Sequence, residues 1–218
     1  MLFDQPHILC FNLDGTYAAE NKRRATRQCY GGRSIDPPVW RQLVVPLDAT
    51  LADLHRIVQA AMGWTNSHLY EFDIGGLTYG DIELLNSECV GDESRALDSA
   101  KVRLRDFSRK PGTSFEYTYD FGDNWVHSVT LEKLVAISPP PKQAVCIEGA
   151  RCCPPEDVGG PGSFKEFVRV LSHPENDDEV EEQQNLKRWS GGKFDPERFA
   201  PAKTDKAVRG AFRKRRTV

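Results

Sequence analysis

FEYTYDFGDNWVHSVTL, residues 115–131, decides the fold. Phe115, Tyr117, Tyr119 and Phe121 alternate with Glu116, Thr118 and Asp120, a period of two that places the aromatic residues on one face of a β-strand. Phe121-Gly122-Asp123-Asn124 then supplies a turn, because Asp and Asn bond their own backbone and Gly accepts positive φ. Trp125, His127, Val129 and Leu131 alternate on the return strand, so the stretch is a hairpin with one apolar face.

Outward from this hairpin the pattern is mostly strand, interrupted by a few helices. Strands are expected at His7–Leu13 and Val39–Pro46, the second being rich in β-branched residues. A shorter hairpin is expected from Leu69–Ile74 and Leu77–Tyr79 around Gly75-Gly76. Residues 86–100 read as a polar loop and Val102–Phe107 as a short strand. Thr50 opens a helix with Asp53 as its capping partner, and Leu51, Leu54, Ile57, Val58, Ala61 and Met62 give it one apolar face ending at Gly63. Ser163 and Glu166 predict a second helix, ending at His173-Pro174. Asp178–Trp189 reads as a solvated third, and Thr204–Arg216 as a last one with Val208, Ala211 and Phe212 on one side. The fold expected is α+β: a single domain with an antiparallel or mixed sheet packed by three or four helices. That domain spans residues 1–200, with residues 201–218 as a basic C-terminal tail.

The 218 residues suffice for a real core, and a hydrophobic share of 39% with 28% charged residues fits a soluble domain with polar extensions. No apolar run approaches the roughly 20 residues that span a bilayer, so no membrane partner is expected. MLFDQPHILC carries Asp4 and no basic segment, which argues against a secretory signal. Six cysteines, two of them adjacent, do not resemble a disulfide framework, so the reading is an intracellular protein with free thiols, cytoplasmic or, in a eukaryote, nuclear. The net charge of −3 is unevenly placed: Glu175–Glu182 is acidic, Lys203–Arg216 basic.

CIEGARCCPPEDVGGPG, residues 146–162, is the second dense stretch, and its prolines and glycines predict a shaped loop within a longer one from Ser138 to Gly162. Together with the hairpin it resembles the plasmid pRiA4b Orf-three-like family. The matching segments are Pro37-Pro38-Val39-Trp40-Arg41, Thr50–His55, Gly63–His68, Phe72–Asp81, Tyr119–His127, Cys153–Asp157 and Phe194-Asp195-Pro196. The resemblance covers residues 7–200 and implies an association with plasmids and insertion elements; it implies no particular activity. Three departures stand out. The family pattern has a cysteine where Val158 stands, a small residue where Cys152 stands, and no counterpart of Thr16–Ile35. That last segment reads as a loop insertion between two strands, made basic by Lys22, Arg23, Arg24, Arg27 and Arg33.

Three sets of residues are candidates for chemistry. Cys146, Cys153 and His127 can supply thiolate and imidazole to zinc, although Cys146-x5-Cys152-Cys153 is not a zinc-finger spacing. His68, Asp120, Asp123 and His127 are the candidate catalytic residues. Imidazole beside carboxylate builds a general base, and His68 with Glu71, Asp73 and Asp81 can form an oxygen–nitrogen metal site if the hairpin and the Asp120–Asn124 turn converge. The competing readings are an ordinary turn at Asp120–Asn124 and a core histidine at position 127. Lys206, Arg209, Arg213, Lys214, Arg215 and Arg216 are candidate phosphate-binding residues for a nucleic acid, with a solvated terminus as the alternative. The sequence therefore leads to a non-enzymatic binding module, nucleic-acid-associated and linked to mobile elements. The alternative is a metal- or thiol-dependent enzyme with a site drawn from Asp120–His127 and Cys146–Asp157.

Overall fold

The computed structural model describes residues 7–15, 35–88, 96–107, 110–136, 142–192 and 194–212. Eight strands form one sheet: β1 (His7–Gly15), β2 (Trp40–Pro46), β3 (Tyr70–Ile74), β4 (Leu77–Gly80), β5 (Leu97–Asp98), β6 (Ser114–Tyr119), β7 (Trp125–Ala136) and β8 (Val145–Ala150). Their order is β5-β4-β3-β6-β7-β1-β2-β8, antiparallel throughout except for the parallel pair β4–β5. Six helices accompany the sheet among the described residues: α1 (Leu51–Met62), α2 (Ile82–Glu88), α3 (Leu104–Phe107), α4 (Gly160–Ser172), α5 (Asp177–Trp189) and α6 (Pro201–Ala211). The architecture is α+β, as the sequence implies. The four longer helices are the expected ones, and the two short ones are additional.

The hairpin forms as its alternation dictates. Tyr119 pairs with Trp125 and Phe115 with Val129, and the inward residues Phe115, Tyr117, Tyr119, Trp125, His127, Val129 and Leu131 are all buried. Phe121 breaks the series: it lies in the turn and is 43% exposed. The start of α1 is equally local in origin. Thr50 Oγ1 accepts from Asp53 N–H, and the Asp53 carboxylate accepts from Thr50 N–H. Gly63, with φ 82°, closes the helix. The apolar stripe of α1 packs against the sheet, with Leu51, Leu54, Ile57 and Val58 at 0% exposure.

Besides β5 and the end of α2, which fall within the loop expected at residues 86–100, four elements differ from expectation. Val102–Phe107 is not a strand. Arg103 bridges Thr50, and then α3 begins, with Asp106 accepting from Arg103 N–H while Leu104 is buried. Val145–Ala150 is not loop: between Pro141 and Pro154 there is no proline, which leaves six residues free to pair with β2 as an edge strand. The helix expected from Ser163 begins three residues earlier. Pro161 supplies a preset φ in its first turn, and Glu166 bonds Arg169 instead of the backbone. The last helix is shifted toward the N-terminus, starting at Pro201 and ending at Ala211. It packs on α1 and β8, burying Val208 and Phe212 in the core. The basic insertion, residues 16–34, lies outside the described residues, but its flanking strands β1 and β2 are antiparallel neighbours.

Candidate functional site

Three loops meet at one end of the sheet: residues 63–69 after α1, the turn 120–124 between β6 and β7, and residues 151–159 before α4. Packing and backbone bonds join them. Trp64 lies over Tyr119 at a ring separation of 4.9 Å and donates from Nε1 to Pro154 O at 3.0 Å. Asp123 Oδ2 accepts from Gly159 N–H at 3.0 Å. At Gly160 an added Cβ would lie 2.6 Å from Asp123 O, so only glycine lets α4 start this close to the turn.

His68 sits where these loops converge. Its Nε2 lies 2.9 Å from Asp157 Oδ1, 3.5 Å from Asp120 Oδ2 and 3.6 Å from Glu156 Oε2. The roles of the three carboxylates differ. Asp120 is 8% exposed and adopts φ 55°. Its Oδ1 accepts from the N–H groups of Gly122 and Asp123, which builds the turn. Its Oδ2 faces His68 Nε2. Glu156 is held by Thr65 N–H at 2.6 Å, the Thr65 hydroxyl at 3.1 Å and the Tyr119 hydroxyl at 3.2 Å. Burial raises the Tyr119 phenol to about 12, so it keeps its proton and donates to Glu156 while accepting from Ser67 N–H. Asp157 is the open member, with a side chain 71% exposed.

His68 and Asp120 form one wall of a cavity of about 530 Å³, lined further by His55, Arg56, Asn66, Tyr70, Asp81 and Phe121. Behind this lining runs a closed ring of hydrogen bonds. Asn66 N–H donates to Gln59 Oε1, Gln59 Nε2 to the Tyr117 hydroxyl, that hydroxyl to His55 Nδ1, and His55 Nε2 to Asn66 Oδ1. His55 also stacks on Tyr70 at 3.5 Å. Burial holds its imidazole down at about 4 and therefore neutral, as the ring requires. The ring fixes the loop carrying His68 to α1 and β6.

Of the residues singled out from sequence, the structure joins His68 to Asp120 and to neither Asp123 nor His127. Asp123 serves the backbone of residue 159. His127 is 1% exposed and donates from Nδ1 to Trp125 O; burial lowers it to about 4, as suits a core histidine. Cys146, Cys153 and His127 form no common ligand set. Cys146 is on β8, three strand spacings or about 14 Å from β7. The Cys153 thiol lies 3.2 Å from Arg41 Nη2 and 3.1 Å from Met62 Sδ. Burial raises the thiols of Cys146, Cys152 and Cys153, the last to about 12, the opposite of an activated nucleophile. Lys206 and Arg209 lie on α6, where Arg209 pairs with Asp205; Arg213, Lys214, Arg215 and Arg216 lie outside the described residues. Sequence reasoning missed Glu156 and Asp157 as partners of His68, and missed His55. His55 and Gln59 carried a signal: two polar residues four apart on the buried side of a helix.

The sheet order, the 63–69 loop and the carboxylate-ringed histidine describe an α+β protein. Residues 33–203 match the family described as plasmid pRiA4b ORF-3-like protein, and the chain belongs to it. It is 40% identical over 151 residues to "Uncharacterized protein y4hQ" of Sinorhizobium fredii, covering 67% of this chain and 73% of that protein. It is also similar to the crystal structure of a protein of unknown function, MM3350, from Methanosarcina mazei Go1. The TM-score there is 0.69 at 28% identity, covering 91% of this chain and 97% of the other. No helix among the described residues is long and apolar enough to cross a membrane.

Proposed function

We propose that the protein is a divalent-metal-dependent protein acting on a small molecule in the cavity beside His68. The supporting observation is the ligand set itself. His68, Asp120 and Asp157 offer one nitrogen and two oxygens within 4.8 Å of one another, the one such set among the described residues. Two ligands about 2.1 Å from one ion lie at most about 4.2 Å apart. His68 Nε2 meets this limit with both carboxylates at 2.9 and 3.5 Å. Asp120 is buried, so an oxygen of its carboxylate turned to His68 is held in place for an ion. One imidazole with carboxylates suits a first-row ion such as Mn²⁺ or Zn²⁺. Three protein ligands would leave coordination positions for other groups, and an ion so held would polarise a bound water or carbonyl. Glu156, fixed by Thr65 and Tyr119, stands ready to accept a proton beside it.

Calorimetric titration of Mn²⁺ and Zn²⁺ into the purified chain tests this. One ion per chain is expected. Asp120→Asn keeps a turn-forming side chain, and Asp157→Asn alters an exposed one, so both variants fold. Each should lose affinity about 100-fold, at least what losing a supporting partner costs. Unchanged affinity in both would remove the site.

A second reading rests on α6. Lys203, Lys206 and Arg209 recur every third residue on its exposed side. This supports contact with a phosphate backbone. Fluorescence anisotropy with duplex DNA, comparing the full chain with Lys203→Ala/Lys206→Ala/Arg209→Ala, should show binding that falls with salt and is weaker in the variant. Equal binding by both proteins, or none, counts against it.

A further inference from the structure

We propose that the cavity receives an organic cation: an ammonium group carried on a planar or aliphatic body. The inference goes beyond metal binding and holds for the metal-loaded and metal-free protein alike. It rests first on charge. Asp81 and Asp120 line the cavity, and Glu156 and Asp157 lie against His68, which lines it too. A divalent ion would offset only two of these four negative charges. The lining offers little in return. Arg56, its one arginine, is ion-paired to Asp53, and buried His55 is neutral. A cleft walled by one sign of charge concentrates ligands of the other sign and repels phosphates and carboxylates.

The second observation is Phe121. Its neighbours in the alternating series are buried, yet Phe121 is 43% exposed and lines the cavity. An exposed aromatic face beside carboxylates suits an ammonium and the apolar body bearing it. Asp81 is the anchor inside. Its Oδ1 accepts from Glu83 and Leu84 N–H at the start of α2, which fixes the carboxylate. The volume, about 530 Å³, falls within the range of roughly 300–1,000 Å³ usual for small-molecule sites.

Three probes with the same ring and different charge provide the test: benzylamine, benzyl alcohol and benzoate. Each is titrated by ligand-observed NMR into the full chain at low salt, with and without Mn²⁺. Benzylamine should bind about ten-fold more tightly than benzyl alcohol in both states, and benzoate should not bind. Asp81→Asn retains a side chain that caps α2 equally well and should remove the preference for benzylamine while leaving benzyl alcohol unchanged. Phe121→Ala should weaken benzylamine and benzyl alcohol together. Binding of benzoate, equal binding of all three probes, no binding of benzylamine, or an unchanged preference in Asp81→Asn each overturns the proposal. Failure of Mn²⁺ to bind would overturn the metal reading alone, since the metal-free arm stands independently.

Discussion

Arg41→Met is expected to destabilise the protein by at least about 3 kcal/mol, because it strands several buried carbonyls at once. Arg41 is 3% exposed. Its Nε donates to Ala61 O, its Nη1 to Trp40 O and Ala150 O, and its Nη2 to Arg151 O and the Cys153 sulfur, all at 2.7–3.2 Å. The guanidinium also lies 4.5 Å from the centre of the Phe199 ring. One side chain thus ties β2 to the end of α1, to β8 and to the start of the 151–159 loop. A methionine of similar length fills the space but donates to none of these acceptors. Arg41→Lys should recover only part of the loss, since an ammonium cannot reproduce the planar fork. In urea the midpoint of Arg41→Met should fall by about 1 M or more. A loss under about 1 kcal/mol would show the clamp to be dispensable. The clamp also bears on the site, for the segments carrying His68 and Asp157 leave it within a few residues.

Locally encoded features were readable from the sequence, and features assembled across the chain were not. The capping box at Thr50 and Asp53, the stripe on α1 and, Phe121 apart, the alternation from Phe115 to Leu131 each depend on residues a few positions apart, and each forms as read. Strand β8 was hidden because Pro154, Pro155 and the following glycines dominate the reading of a segment whose first six residues are sterically free to pair. Its pairing with β2 is a long-range event. The site was half legible. His68 and the Asp120 turn each stood out, and their convergence was a condition that the sheet order fulfils by placing β3 beside β6. Asp157 is 89 residues from His68 in the chain, and the docking of its loop depends on Trp64, Asp123 and Gly160 together. No spacing rule encodes that. The zinc set failed for the same reason in reverse: Cys146 and Cys153 are near His127 in sequence, but two strands, β1 and β2, separate β8 from β7.

Acid should unfold this protein through two buried histidines. His55 and His127 are each lowered from 6.5 to about 4, chiefly by burial. Above pH 6.5 both are neutral whether folded or unfolded and contribute nothing to the pH dependence. As pH falls from about 6.5 to about 4 the unfolded chain takes up a proton at each while the folded chain does not, so the folded state loses ground until the folded histidines also protonate. Each histidine accounts for about 3 kcal/mol by the end of that window, since one pH unit is worth 1.36 kcal/mol per proton. Together they approach the whole stability of an ordinary domain. The structural reason is specific at His55: a second ring proton would point Nδ1–H at the Tyr117 hydroxyl, which already accepts from Gln59. His127 is 1% exposed, and its ring lies edge-on to Trp64 at 5.4 Å and near Tyr117 at 5.7 Å, away from bulk solvent. Urea unfolding between pH 6.5 and 5 should reveal uptake approaching two protons. The slope should halve in His127→Gln and halve likewise in His55→Asn. The slope is the informative quantity because it does not depend on how much stability either variant loses outright. A flat profile in the wild type, or slopes unchanged in both variants, would mean that these imidazoles accept protons inside the fold and that the polar ring around His55 tolerates a charge.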